Sequence, residues 1–328
     1  MANIAINNYC NLKCRYCFAD DMIHEENKSI TIDALRMILS FLSKTPKNHV
    51  GIIGGEPTLH PHFSEVLKEV NRYCRELNTH ATLFTNGTNL EKYLPDIGER
   101  IGLLINVNSP KYTPAEEYQK TMKVLEHLAD LSWFDMRANI GCNIYPGLTD
   151  YTYIWEITDR FRIDHLRTSV VSPGGCFAKM RNDKEKYYMD MKPIFLEYCR
   201  NAAEHHVRLN LDCGHIPECY FTAEELEVVG SACDLPANKF CDPVVDITAD
   251  FRATSCFGAY DPVDIRDFEN VLELERYLLA KKVLPKAEKN KKGRCASCKK
   301  HELLQCQGGC LGFAEGETIM FPETEESA

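Results

Sequence analysis

The chain has 328 residues, 44% of them hydrophobic, a net charge of −10 and sixteen cysteines. That length and apolar content suit a sizeable core shared between two domains, and the acidic balance opposes a nucleic-acid substrate, because a phosphate backbone asks for a basic face. No signal peptide precedes Asn3-Ile4-Ala5-Ile6, and no apolar run approaches the ~18 residues of a membrane span. The expectation is a cytoplasmic protein without a membrane segment, in which clustered cysteines point to metal rather than to disulfides.

Residues 1–205 alternate short apolar runs with longer amphipathic ones. The first candidate strand is Asn3 to Ile6. Just past it stands Cys10-Asn11-Leu12-Lys13-Cys14-Arg15-Tyr16-Cys17, a C-x3-C-x2-C run with an aromatic residue before the last cysteine. Three thiolates so spaced hold three irons of a 4Fe–4S cluster and leave the fourth open to a small molecule, whereas an electron-transfer cluster normally has four protein ligands. A zinc knuckle is the competing reading, but zinc favours four-ligand sets with C-x2-C pairs, and no fourth ligand is obvious nearby. Ile32, Leu35, Ile38, Leu39 and Leu42 then follow one helix face, with Thr31 as N-cap. The strand Val50 to Ile53 runs into Gly54-Gly55-Glu56-Pro57-Thr58. Glycines there permit close backbone approach to a ligand, and Glu56 is a carboxylate for an ammonium donor; alone, the same run is an ordinary turn.

Val66, Val70 and Cys74 suggest a second helix face. Further strands are expected at Thr82 to Thr85, Leu103 to Val107, Met136 to Ile144 and Leu166 to Val171. Their ends carry Asn86, Asn106 and Asn143, amides that suit either a ligand or a turn. Cys176 also follows a strand end. Strand–helix alternation argues for parallel β/α units, whose ligand sites lie at the C-terminal ends of the strands. Val207 to Leu211 reads as a strand entering the second domain, 206–328. There Cys233, Cys241 and Cys256 are followed by Cys295-Ala296-Ser297-Cys298 and by Cys306-Gln307-Gly308-Gly309-Cys310. The lysine-rich segment 281–294 between these groups reads as a solvated linker.

The three-cysteine run and the Gly-Gly-Glu-Pro turn together resemble the signature of the radical S-adenosylmethionine (SAM) superfamily. The resemblance implies an α/β fold, a partial (β/α)6 TIM-like barrel over 1–205. It implies a SAM-binding 4Fe–4S cluster on Cys10, Cys14 and Cys17, with SAM touched by Tyr16, Gly54, Gly55, Glu56, Pro57, Asn106 and Asn143. It also implies reductive cleavage of SAM to a 5′-deoxyadenosyl radical that abstracts a hydrogen atom, with the electron from a flavodoxin- or ferredoxin-type donor.

The later cysteines resemble the SPASM extension, a small α+β domain. By that resemblance Cys233, Cys241, Cys256 and Cys310 would bind one auxiliary cluster, and Cys295, Cys298 and Cys306 a second. The chain departs from the pattern in three ways. Asp250 or Phe251 stands where relatives have a hairpin glycine, seven residues rather than five separate Cys298 from Cys306, and no cysteine follows Cys310. The second cluster is then open, or uses Cys213, Cys219 or a carboxylate; a single cluster, as in the shorter twitch extension, or zinc are the alternatives. Cys213, Cys219 and Cys176 are also candidate hydrogen-atom donors to a substrate radical, each with the plainer reading of a structural thiol.

Relatives with such extensions modify ribosomally made peptides by cross-linking, epimerisation or dehydrogenation, so a peptide substrate is expected, with leader recognition supplied by a separate protein because the chain starts almost directly at its first strand. A small molecule such as an aminoglycoside precursor is the alternative, and a non-enzymatic electron carrier the third reading. Phe257 follows Cys256 where sulfatase-maturing relatives carry an acid, which disfavours formylglycine formation.

Overall fold

The computed structural model describes residues 1–17, 27–45, 49–171, 175–212, 216–234, 241 and 244–315. Its strands are β1 (Ala2–Ala5), β2 (His49–Ile53), β3 (His80–Thr85), β4 (Ile101–Asn106), β5 (Ala138–Ile144), β6 (His165–Val170), β7 (Arg208–Leu211), β8 (Val245–Ile247), β9 (Arg252–Thr254) and β10 (Val263–Asp264). They form one sheet in the order β10-β9-β8-β1-β2-β3-β4-β5-β6-β7. All neighbours from β8 through β1 to β7 are parallel, while β9 and β10 turn back antiparallel. Parallel neighbours need long crossovers. These include the helices α1 (Ile32–Ser43), α2 (Phe63–Glu76), α3 (Ala115–Asp130), α4 (Thr152–Phe161) and α5 (Lys184–Glu204). Helices α6 (Ala223–Ala232), α7 (Val271–Leu278) and α8 (Leu284–Lys289) follow.

Local sequence accounts for much of this. Thr31 caps α1, its side-chain oxygen accepting from Ala34 N at 3.1 Å, and Leu35, Ile38, Leu39 and Leu42 are buried as the spacing requires. Val66, Val70 and Cys74 are buried on α2. The six expected strands all form within a residue or two of their expected bounds. β5 starts later than Met136 because a short turn at Trp133–Asp135 occupies the approach.

The sheet does not stop at the sixth strand. β7, expected to lead away into the second domain, pairs with β6, and β8 pairs with β1. Both edges of the six-stranded core are thereby covered, which removes rows of unpaired backbone groups. The segment 281–294 is not a linker. A π turn at Leu279–Val283 joins α7 to α8 in one helical run, because Leu274, Leu278, Val283 and Ala287 recur at helical spacing and are buried beneath the lysines. The β8–β9 hairpin keeps the conformation a glycine would favour. Phe251 sits at φ 65°, and Arg266 lies 5.4 Å above its ring. A left-handed residue with a side chain costs about 1–2 kcal/mol, which the ring contact helps offset.

Alternation along the strands sends Ile4, Ile52, Leu83, Ile105, Ile140 and Leu166 into the buried hydrophobic core. The opposite face carries Asn3, Gly51, Gly102, Asn106, Asn139, Gly141, Asn143, Arg167 and, on β8, Asp246. Closed TIM barrels fill this interior with branched apolar side chains; here amides, glycines and charges share it with Ile53, Phe84 and Leu104. The sheet curls enough that Asp212, just past β7, acts electrostatically on Asp246 of β8.

Candidate active site at the mouth of the barrel

Cys10, Cys14 and Cys17 lie in the loop leaving β1, all partly exposed. The loop is held by its own backbone, with Cys17 N donating to Cys14 O at 3.0 Å. Leu12 N points at Cys10 Sγ at 3.4 Å, and the Asn86 amide approaches the same sulfur at 3.8 Å. Burial pushes the Cys10 thiol up to about 11 and the Cys14 thiol up to about 12, the latter also raised by Cys10 and Cys17. Three mutually repelling sulfurs with amide donors aimed at one of them suit thiolates that share a cationic cluster, whose potential such hydrogen bonds tune. Among the described residues no three His, Cys, Asp or Glu side chains gather for a single metal ion. One tetrahedral ion would draw its thiolates to within about 3.8 Å of each other, whereas a four-iron cluster takes one thiolate per iron.

The Gly-Gly-Glu-Pro turn leaves β2 beside this loop. Its glycines are required by the chain itself. A Cβ on Gly54 would stand 2.1 Å from Asn7 Oδ1, and one on Gly55 2.2 Å from Tyr9 O. The backbone pass is sealed by Gly55 N to Asn7 O at 3.1 Å and Glu56 N to Tyr9 O at 2.9 Å. The sequence suggested close approach to a ligand, and the structure shows close approach of the cysteine loop's own stem.

Glu56 is 1% exposed. Its Oε1 accepts from Thr58 N at 3.1 Å, Thr58 Oγ1 at 2.6 Å and Thr85 Oγ1 at 2.7 Å, and its Oε2 accepts from Asn86 N at 2.8 Å. Burial pushes its pKa up while these donors pull it down. Three of these donors converge on Oε1 and one on Oε2, so Oε2 keeps one acceptor position for a ligand's ammonium. Glu56 also ties the ends of β2 and β3 together and fixes Asn86, which reaches Cys10. Pro57 is buried as the first residue of the turn Pro57–Leu59.

Across the mouth, Tyr16 donates through its hydroxyl to Asn108 Oδ1, and its ring lies 5.1 Å from that of Tyr145. Burial raises its pKa well above the usual phenol value. Tyr16 lines a cleft with Cys14, Asn108, Tyr112 and Tyr145. Asn143 accepts from Arg167 Nη1 at 2.9 Å, and Arg167 also donates to Asp212 Oδ2 from Nε at 2.9 Å and Nη2 at 2.6 Å. Asn106 differs, because its Oδ1 is buried without a hydrogen-bond partner. An orphaned acceptor at a strand end is costly unless a ligand supplies the donor, and SAM carries both hydroxyl and ammonium donors. Together with the cysteine loop, Asn106 makes the mouth fit that cofactor.

Sequence reasoning missed Asp246. It lies on the inner face of β8, 7% exposed, and accepts from Asn3 Nδ2 at 2.7 Å. Burial pushes its pKa up to about 7, against the pull of Asn3 and with help from Asp212. Only the β1–β8 pairing, which local periodicity does not reveal, brings it to the lumen.

The later cysteines separate into groups. Cys241 and Cys256 both feel Cys310, and burial pushes them up to about 11 and about 12. Gln307 Nε2 donates to Cys241 Sγ at 2.7 Å, and Gly312 N points at Cys310 Sγ at 3.4 Å. Lys184 Nζ approaches Cys295 Sγ at 3.7 Å, and Gly308 N points at Cys306 Sγ at 3.4 Å. Cys233 stands at the C-terminal end of α6. It is fully buried, its Sγ donates to Val229 O at 3.5 Å, and it lies against Cys199 of α5, raising that thiol's pKa chiefly through their hydrogen bond. Closing α6 onto α5 carries Cys233 into the core. Cys213 lies outside the described residues, and of Cys176 only the backbone, in the turn Gly175–Asn182, is described.

Residues 4–160, just under half of the chain, match the radical SAM superfamily model, so this region carries a radical SAM domain. Enzymes of that superfamily use SAM and 4Fe–4S clusters. Among curated proteins it is similar to GTP 3′,8-cyclase of Actinobacillus succinogenes, 31% identical over 123 residues, 36% of this chain and 35% of that protein. It is also similar to a probable GTP 3′,8-cyclase of Methanococcus maripaludis, 24% identical over 213 residues, 61% of this chain and 66% of that protein. The matched regions thus span from about a third to just under two thirds of those relatives. Its fold resembles Streptococcus suis SuiB bound to precursor peptide SuiA, with TM-score 0.61 and 15% identity over 94% of this chain and 71% of that one. It also resembles anSMEcpe with bound AdoMet and a peptide, with TM-score 0.62 and 17% identity over 94% of this chain and 88% of that one. Among the described residues no helix is long and apolar enough to cross a membrane.

Proposed function

We propose that this enzyme acts on a peptide, with SAM and a cluster on Cys10, Cys14 and Cys17 at the barrel mouth and auxiliary clusters on the later cysteines. Cys10, Cys14 and Cys17 would hold a cluster that, given one electron from a flavodoxin- or ferredoxin-type donor, would supply reductive cleavage of SAM and so hydrogen-atom abstraction from the substrate. The observation that carries the reading is the convergence of the three-cysteine loop, the Glu56-anchored Asn86 and the orphaned Asn106 at one end of a polar lumen. In it, Tyr16 and Asn108 border the cofactor position, and Asn106 accepts from SAM. The lumen itself holds the substrate's reacting segment.

The lumen chemistry favours a peptide over a polyphosphate. Asn3 and Asn106, whose Oδ1 atoms lack a hydrogen-bond partner, offer neutral amide acceptors that suit backbone N–H groups. Arg167 is already bound to Asp212 and Asn143, and the net charge of −10 repels a triphosphate. A nucleotide is the second reading, because the curated relatives named above are GTP cyclases. A separate leader-recognition partner belongs with the peptide reading.

The test is 5′-deoxyadenosine formation by anaerobically reconstituted, reduced protein given SAM with GTP, or with short peptides encoded beside its gene. A peptide that gains or loses mass in step with 5′-deoxyadenosine supports the proposal. Conversion of GTP with no response to any peptide replaces it by the second reading.

A further inference from the structure

We propose that Cys219 completes a four-thiolate site with Cys295, Cys298 and Cys306, and that Cys233 binds no metal. The inference rests on the auxiliary-cluster reading above and goes further, because it names the ligand that the cysteine spacing leaves unassigned and removes one that the spacing suggests.

Cys219 is the centre of a short turn, Glu218–Tyr220, far in sequence from the other three cysteines. Two cations from the cysteine segment clamp that turn. Arg294, adjacent to Cys295, donates from Nη1 to Cys219 O at 2.6 Å and lies 4.0 Å above the Tyr220 ring. Lys300, between Cys298 and Cys306, donates to Glu218 Oε2 at 2.8 Å. The turn is thus fixed against both flanks of the segment carrying Cys295, Cys298 and Cys306.

The surroundings suit ionised sulfur. Four thiolates on a 4Fe–4S core leave a net negative charge, and cations and N–H donors around the sulfurs stabilise it. Lys184 approaches Cys295 Sγ at 3.7 Å while donating to Asn290 O and Gly308 O at 2.9 Å. Gly308 N serves Cys306 Sγ, and Arg294 stands against Cys219. Cys219 is exposed, so it gains no packing from being a cysteine.

Cys233 is set differently. Its fully buried sulfur is directed at Val229 O at 3.5 Å. A ligand must turn its sulfur toward the metal; the Cys233 side chain is buried at the end of α6 and turned to that helix's own carbonyl.

The experiment compares wild-type chain, Cys219→Ala and Cys233→Ala after anaerobic reconstitution, by iron content and EPR with and without added cyanide. The SAM-induced change in the spectrum of the first cluster serves as the control for folding. At four irons per cluster, wild type is expected to hold about twelve. Cys219→Ala is expected either to fall by about four, or to keep its iron and gain a cyanide-dependent spectrum from one opened iron. Cys233→Ala is expected to match wild type. A Cys219→Ala protein indistinguishable from wild type, or an iron loss in Cys233→Ala alone, overturns the assignment. About four irons in wild type would instead remove the auxiliary-cluster reading itself, and the assignment with it.

Discussion

Replacing Glu56 by Gln tests whether this carboxylate is a ligand contact or a structural tie. Glu56 Oε1 accepts three hydrogen bonds and Oε2 accepts the Asn86 N–H at 2.8 Å. An amide that keeps its oxygen in the first position turns its own N–H₂ toward Asn86 N–H, so one charge-assisted bond becomes a clash between donors. Hydrogen bonds to charged groups contribute about 1.5–3 kcal/mol, so the substitution is expected to cost about 2–3 kcal/mol. At roughly 2 °C per kcal/mol for a large domain, the thermal midpoint of the SAM-free protein falls by about 5 °C. Glu56→Ala is expected to cost more, about 4 kcal/mol, because the backbone donors of Thr58 and Asn86 both lose their acceptor. The assay is thermal unfolding without SAM, paired with SAM titration of the reconstituted protein at a temperature where each variant is folded. An unchanged midpoint in Glu56→Gln together with a tenfold or greater loss of SAM affinity would refute the structural role and make the carboxylate a ligand contact.

Asp246, raised to about 7, retains a proton in the folded state that the unfolded chain releases near its ordinary value of about 4. Stability is therefore expected to decline between pH 4 and pH 7 by up to about 4 kcal/mol and to level off above; Asp246→Asn should flatten that slope in denaturant titrations across the window. Asn106→Leu removes a buried acceptor with no partner, so the SAM-free protein should gain about 1 kcal/mol while SAM binds about tenfold more weakly; unchanged SAM affinity would take Asn106 out of the cofactor site. Replacing Cys10, Cys14 and Cys17 together by Ala is expected to remove about four irons and abolish 5′-deoxyadenosine formation; retention of that product would falsify the assignment of the cleaving cluster.

The three-cysteine loop, the turn at Gly54–Pro57 and the strands β1 to β6 were legible in local sequence. These are local matters. Cys10, Cys14 and Cys17 lie within one loop, glycine need follows from backbone sterics, and strands and helices declare themselves by their period of burial. Even Phe251 could be placed in the hairpin by position, although its left-handed backbone could not be read from its identity. Tertiary structure alone decided which residues meet from distant segments. It joined β7 to β6 and β8 to β1, and so put Asp246 in the lumen beside Asn3. It brought Thr85 and Asn86 at the end of β3 to the Glu56 carboxylate, set Cys233 against Cys199 through the packing of α6 on α5, and laid the Glu218–Tyr220 turn against Arg294 and Lys300. Spacing orders the cysteines along the chain, but their sorting into groups depends on the packing of helices whose burial pattern says that they dock and not against what.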